Sequence, residues 1–308
     1  MDEVAEVVSS YDIGKEDLDG LLKLYAYVEP ETRLLRWREE KKDYHDSYYQ
    51  NEKRLIDLES LCLYGNSLMI WMFPVEAFNA FKEIYILTYM FDGQIQRYYD
   101  NYYNLPYDFL YVKGDSIDNY EFTTQRGLDK SSTYNYGKLI NILENNKLNQ
   151  IGDPEYSLSK NWYGRQINNP PMKDLKKCIY NYFRNIVKSP SDDNLWTTFK
   201  MAEKKLKGDG YSRSFLSCNA RATNSYSNRH NIAYVVNRYV NSVVKQFFVT
   251  HGIKVDDDEY ALSEMLQFIW RSAIRNGEQI NLYIPSLRMR NLLKGWIKKN
   301  SVPSEVTV

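Results

Sequence analysis

Three side chains able to grip an anion recur every four residues near the end of the chain: Gln267, Arg271 and Arg275. They lie within the helical pattern Ala261–Arg275, whose stripe Leu262, Met265, Leu266, Ile269 and Ala273 faces inward. A guanidinium is planar, permanently charged and multiply donating, which suits phosphate oxygens. The same spacing also builds a plain solvated face, with Glu264 or Glu278 as ion-pair partners. A second group is Asn219-Ala220-Arg221-Ala222-Thr223-Asn224, read as a loop between a strand (Ser214–Cys218) and a helix. Ligands of open α/β sheets sit at the carboxyl ends of strands, and Asn219, Arg221, Thr223 and Asn224 can all touch phosphate or sugar. The bland alternative is a capping loop bonding its own backbone. A third group is Arg288, Arg290, Lys294, Lys298 and Lys299 beside Met289, Leu292, Leu293 and Trp296. That basic face could track a phosphate backbone or simply be a surface helix.

Other chemistries are excluded by what is missing. No GxxxxGK[ST] occurs, and Gly208-Asp209-Gly210-Tyr211-Ser212 lacks the lysine that would cradle a triphosphate. There is no GxSxG elbow and no HExxH. Cys62, Cys178 and Cys218, like His45, His230 and His251, are scattered, so neither a disulfide framework nor a metal site is expected. The acidic pair Asp2-Glu3 has the composition of a magnesium-site pair, but no strand precedes it and a frayed terminus explains it as well.

Composition narrows the partners. The 308 residues carry 40 Lys plus Arg against 40 Asp plus Glu, so bulk charge does not attract polyanions and any nucleic-acid site must be local. The 28 tyrosines and 12 phenylalanines can stack on bases or fill cores and protein interfaces. The longest apolar runs, in 68–74 and 84–87, are too short to span a bilayer. With an acidic start and no signal-peptide pattern, we read the chain as soluble and cytoplasmic, without a membrane partner.

The elements that must position these residues read as follows. Helices are expected over 17–25, 52–63, 75–82, 93–103, 138–148, 175–187, 191–207, 231–248, 261–275 and 285–299. Strands are expected over 67–73, 84–87, 107–112, 214–218 and 279–284. Hydrophobic periodicity lapses over 113–136, taken as a linker between 1–112 and 137–308. The late succession of strand, helix, helix, strand and helix is an α/β pattern with a mostly parallel sheet.

In order, these features resemble the DEAD-like, superfamily-2-type helicases of phages and mobile elements of Gram-positive bacteria, over their C-terminal two-thirds. Gln-Phe-Ile-Trp-Arg-Ser-Ala-Ile-Arg at 267–275 is similar to the arginine-finger motif, with Trp270 where glycine is common and the last arginine one position late. Asn219–Asn224 is similar to the loop sensing nucleotide and nucleic acid. Ile86-Leu87-Thr88-Tyr89 resembles the segment coupling hydrolysis to strand movement, and Asp2-Glu3-Val4 resembles the acidic pair. The resemblance implies a second RecA-like domain at 137–308 preceded by a helix-rich remnant of a first at 1–112. It implies vestigial catalytic roles for Asp2, Glu3, Arg271 and Arg275. It implies nucleotide or nucleic-acid contacts from Thr88, Asn219, Arg221, Thr223, Asn224, Gln267, Arg288 and Arg290. Without a phosphate loop, no cofactor is expected for the isolated chain; ATP and magnesium would require a complementing domain. The expectation is a helicase-like binder of single-stranded nucleic acid without autonomous ATP hydrolysis. The alternative is a non-catalytic mobile-element protein that binds and inhibits a host or defence protein, with homo-oligomers as a further prospect.

Overall fold

The computed structural model describes residues 4–114, 119–125, 135–220 and 223–301. The chain forms two compact units. One comprises Tyr107–Tyr239 and Ala261–Val308, the other Met1–Pro106 and Val240–Tyr260.

The first of these holds a sheet of four strands, numbered here along the chain: β1 (Ile140–Ile142), β2 (Asn194–Thr197), β3 (Asn231–Tyr234) and β4 (Ile280–Tyr283). Their order across the sheet is β1-β4-β3-β2, and every pair is parallel. Side chains alternate between two covered faces. Trp196, Ala233 and Tyr283 join one core with Leu175 and Ile179 of helix Pro170–Asn181 and Ala202 and Leu206 of helix Lys200–Leu206. On the other face Phe268 packs against Tyr234 at 5.6 Å between ring centroids, and Trp296 of helix Leu287–Asn300 meets Trp270 at 5.4 Å. Helices therefore cover both faces of a parallel sheet, which is the expected α/β class.

Each strand carries an asparagine at the same register position. Asn141 pairs with Asn281, Asn281 with Asn231, and Asn231 with Asn194. Their amides chain together: Asn141 Nδ2 donates to Asn281 Oδ1 (2.9 Å), Asn281 Nδ2 to Asn231 Oδ1 (2.9 Å), and Asn231 Nδ2 to Asp193 Oδ2 (2.6 Å). Asn194, fully buried, donates instead to the Gly210 carbonyl at 2.9 Å.

Three of these strands were expected as helix. Residues 138–148 hold β1, 191–207 hold β2 followed by helix Lys200–Leu206, and 231–248 hold β3 followed by helix Ser242–Thr250. Strands buried on both faces lack the alternation that marks a half-buried strand. The run 214–218 makes a single parallel bridge, Phe215 to Trp196.

The other unit was expected as a helix-rich remnant of a RecA-like lobe; its strands are antiparallel instead. Val8–Tyr11, Leu68–Met72 and Leu61–Tyr64 form a three-stranded sheet in that order. The last two are joined through Gly65 at φ 63°, a tight turn that fixes opposite directions. Helix Lys15–Leu24 buries Leu18 and Leu21 as its spacing predicts, and helix Ile95–Tyr102 buries Tyr98 and Tyr99. Segment 240–260, expected within the second domain, belongs here because Val244, Phe247 and Phe248 share a core with Val8, Ile70 and Tyr98. Residues 84–87, expected as a buried strand, are not one: Ile84, Tyr85 and Leu87 are exposed. No described helix is long and apolar enough to cross a membrane.

The amide row yields a stability prediction. Asn281→Ala takes the amide partner from the buried Asn231 acceptor, and an unpartnered buried polar group costs about 1–3 kcal/mol, whereas the exposed Asn141 donor can turn to water. We expect the unfolding free energy to fall by about that amount in chemical unfolding followed by circular dichroism. A change within error would show that the row contributes nothing.

Candidate functional site

The expected site residues fall into separate places. Arg271 and Arg275 follow helix Asp257–Ile269, where the chain turns toward the amino end of β4. The segment before β3 runs alongside. Arg271 donates to the Thr223 carbonyl at 3.4 Å, and Arg275 donates to Asn224 Oδ1. Ala273 N donates to the Arg229 carbonyl at 3.0 Å and Asn276 Nδ2 to the Ser227 carbonyl at 3.0 Å, which continues the seam. Arg271 is buried, whereas Arg275 is exposed. The loop and both arginines therefore meet, but at the amino ends of the strands. The reading of 219–224 as a strand-to-helix loop at the carboxyl edge is corrected, because β3 rather than a helix follows it. Asn219 is held apart, its Oδ1 accepting from Ser217 Oγ. Gln267 makes no hydrogen bond to the loop among the described residues. Arg221, Asp2 and Glu3 lie outside those residues, and Thr88 belongs to the other unit.

Beside this seam sits a group the sequence reading overlooked. His230 Nδ1 lies 2.6 Å from Asp193 Oδ1 and Nε2 lies 2.7 Å from Glu278 Oε2. Asp193 also takes the amide of Asn231, so the imidazole is continuous with the asparagine row. Hydrogen bonds to Asp193 first, then Glu278, raise the His230 pKa above its ordinary value. A histidine just before a strand asparagine, with an acid before the asparagine of the neighbouring strand (Asp193-Asn194, His230-Asn231), was the available signal.

The carboxyl edge holds the other expected residues. Arg290 was expected on an exposed basic face. It is buried instead, donating to the carbonyls of Ile284 (2.8 Å) and Pro285 and lying 3.6 Å from Asp153 Oδ1. The first turn of its helix brings it over the chain leaving β4, which explains the inward turn. Arg288 donates to Asn237 Oδ1 (3.0 Å) and the Arg238 carbonyl (2.7 Å), with its guanidinium 4.2 Å above the Tyr239 ring. Lys294 pairs with Glu144. Beside them a cavity of about 300 Å³ is lined by the loop after β1, including Glu144, Lys147, Asn149, Gln150 and Asp153, and by Arg290.

These groups limit the chemistry. Burial pushes all three thiols up, Cys62 to about 11, which disfavours a thiolate nucleophile. No cluster of three or more His, Cys, Asp or Glu side chains able to hold a metal exists among the described residues. The loop after β1, Leu143–Asp153, has a single lysine, Lys147, ahead of its single glycine, Gly152, the reverse of the order in a GxxxxGK[ST] loop, and surrounds them with four amides and the carboxylates of Glu144 and Asp153. These residues do not fit a triphosphate.

The parallel sheet with helices on both faces defines a Rossmann-like domain, and comparison with known sequences agrees. A family described as the YonV C-terminal Rossmann-like domain matches residues 134–297. The chain is also 42% identical over 303 residues to the SPbeta prophage-derived protein YonV of Bacillus subtilis (strain 168), covering 97% of this chain and 73% of that protein. The chain belongs to the YonV family. No solved structure matches it.

The His230 bridge sets a pH dependence. A raised folded pKa means that its stabilisation is complete below the unfolded value near 6.5 and is lost as pH rises through the folded value. We expect the stability advantage of the native chain over His230→Gln to shrink from pH 6 upward through the His230 titration, read by thermal denaturation alongside NMR of the ring protons. An advantage that grows with pH would contradict the bridge.

Proposed function

We propose that this protein is a helicase-like nucleic-acid-binding protein that does not hydrolyse ATP on its own. The observation carrying this reading is the seam in which Arg271 and Arg275 hold the loop at Thr223 and Asn224. It joins the segment similar to a nucleic-acid-sensing loop to the segment similar to an arginine-finger motif. Arg275 is exposed, and its neutral partner Asn224 is one that a phosphate oxygen can displace, since charge-assisted bonds outlast neutral ones. The absence of a GxxxxGK[ST] sequence in the 308 residues supports the lack of autonomous turnover. The prophage origin of the relative suits a mobile-element role.

A second reading, a protein that binds a host or defence protein, is favoured by one feature. Strands Tyr111–Lys113 and Glu121–Thr123 form a two-stranded ribbon whose cross-strand pair Val112 and Phe122 is exposed, as are Tyr107, Phe109, Leu110 and Tyr120. An apolar surface on a lone ribbon suits a protein partner.

Fluorescence anisotropy with a single-stranded oligonucleotide separates the two. On the first reading affinity falls steeply as salt rises, Arg275→Ala weakens binding about tenfold, and ATPase activity stays at background. No binding at low salt would sink it. On the second, Phe122→Ser abolishes capture of one stoichiometric protein and leaves oligonucleotide binding unchanged.

A further inference from the structure

The helices over one face of the parallel sheet carry a charge that the rest of the chain balances. Helix Lys160–Gln166 joins helices Pro170–Asn181 and Lys200–Leu206 in a single layer. The three pack on one another, and Tyr163, Leu175, Ile179, Ala202 and Leu206 share one core with the strands. That core decides which sides face out. With Met172, Leu175 and Ile179 buried, Lys173, Lys176, Lys177 and Tyr180 form the other stripe of their helix, at i, i+3, i+4 and i+7, and all four are exposed. Lys204 and Lys205 are exposed between the buried Ala202 and Leu206, as are Lys160 and Arg165 on either side of the buried Tyr163.

The three helices hold eight Lys or Arg and two carboxylates, in a chain whose totals are equal at 40. Both carboxylates are taken: Asp174 pairs with Lys177 at 3.0 Å and Glu203 with Lys200 at 2.6 Å. Lys160, Arg165, Lys173, Lys176, Lys204 and Lys205 make no ion pair among the described residues. A solvated helix face ordinarily interleaves both signs. Six uncompensated cations on one layer repel one another, and a polyanion relieves that repulsion. This is the local basic surface that nucleic-acid binding demands of a neutral chain. It also differs from the basic helix Leu287–Asn300, whose Arg288, Arg290 and Lys294 are committed to the chain itself.

We propose that this layer docks the phosphate backbone of a nucleic-acid duplex without regard to sequence. Lysine is a point charge on a flexible stem, which meets phosphates and reads no base edge. The cations are spread over an area, since Pro170–Asn181 runs about 18 Å and packed helices lie about 8–10 Å apart. A duplex presents two rigid rows of phosphates, with one charge per about 1.7 Å of its axis, and so meets an area of cations rather than a line. A single strand binds along a groove that supplies stacking rings. Here the exposed apolar side chains of the three helices are Tyr180 and Met201, and Trp162 is half-buried against the core. The duplex face uses no residue of the Arg275 seam and does not depend on the single-strand reading.

The test is fluorescence anisotropy of the full chain with a labelled mixed-sequence DNA duplex of about 24 base pairs, at salt from about 50 to 200 mM. With about four phosphates met, affinity is expected to fall about a hundredfold over that range, and a duplex of unrelated sequence should bind within about twofold of the first. Lys173→Gln, Lys176→Gln and Lys204→Gln combined, all at exposed positions, should weaken binding and flatten the salt effect to about fourfold, with the circular dichroism spectrum unchanged. The same three positions changed to arginine should keep both affinity and salt dependence. Absence of duplex binding at the lowest salt, an unchanged salt dependence in the glutamine variant, or an arginine variant as weak as the glutamine one overturns the proposal. Retention on phosphatidylserine vesicles without duplex binding also overturns it and assigns the face to a membrane surface. A single-stranded oligonucleotide separates this face from the earlier reading. Duplex binding through the lysines with no single-strand binding supports the face and removes that reading. Single-strand binding that Arg275→Ala weakens, with no duplex binding, overturns the face and leaves that reading standing.

Discussion

The parallel sheet depends on its row of amides. A polar side chain buried inside a covered sheet must be satisfied within it, because water does not reach it; Asn231 is buried and Asn281 half-buried, while Asn141 at the sheet's edge is exposed. Asn141, Asn281 and Asn231 achieve this only when all three stand at one register position, and the row ends on the Asp193 carboxylate. A one-residue slip of β4 would turn Asn281 to the opposite face and leave both neighbours unpartnered. The hydrophobic residues beside the row, such as Ile142, Leu195, Ile232 and Leu282, are interchangeable in character and specify register poorly. The amides supply the specificity that they do not.

Fixing the register fixes both ends of the strands. At the amino end Asp193 holds Asn231 and His230 together, and His230 reaches Glu278 just before β4. That places the 223–229 segment beside the chain at 271–276, so the contact between Arg275 and Asn224 is a consequence of sheet alignment rather than an isolated pair. At the carboxyl end the same alignment sets Leu143 beside the exit of β4, its N–H donating to the Leu282 carbonyl at 2.8 Å, and brings Gly152 against Pro285. A residue at either end is therefore sensitive to the row without touching it.

What the sequence disclosed follows from burial. Helices with one wet face, such as Lys15–Leu24, Ile95–Tyr102 and Leu287–Asn300, were legible through their spacing. Strand β4, which alternates as Ile280, Asn281, Leu282 and Tyr283, was legible too. Strands β1, β2 and β3 were not, because short strands inside a covered sheet look like fragments of helix once joined to the helical residues that flank them. Arg271, Arg275 and the 219–224 segment were each singled out, but the segment's edge of the sheet was misplaced, since that edge hung on whether β3 was a strand. Arg290 shows a further limit. Its spacing marks a basic face, yet the bare carbonyls of Ile284 and Pro285 draw it inward, and no local pattern announces such acceptors. The repeated asparagine followed by an aliphatic residue, at 141, 194, 231 and 281, was present in the text but meaningful only once the strands were aligned.

The charge distribution gives the two edges different tasks. At the carboxyl edge the arginines are committed to holding the chain: Arg290 to carbonyls, Arg288 to Asn237 and the Tyr239 ring, and Arg238 to Glu264 at 2.6 Å. Withdrawing any of them for a phosphate would bare carbonyl oxygens or a buried carboxylate, at a cost comparable to the bond gained. An anionic ligand is disfavoured there. At the amino edge Arg275 is exposed and, among the described residues, bonds the neutral amide of Asn224, so exchanging Asn224 for a phosphate strands no charge. On the nucleic-acid reading proposed above, a strand's phosphates are therefore met at the amino edge rather than at the carboxyl edge.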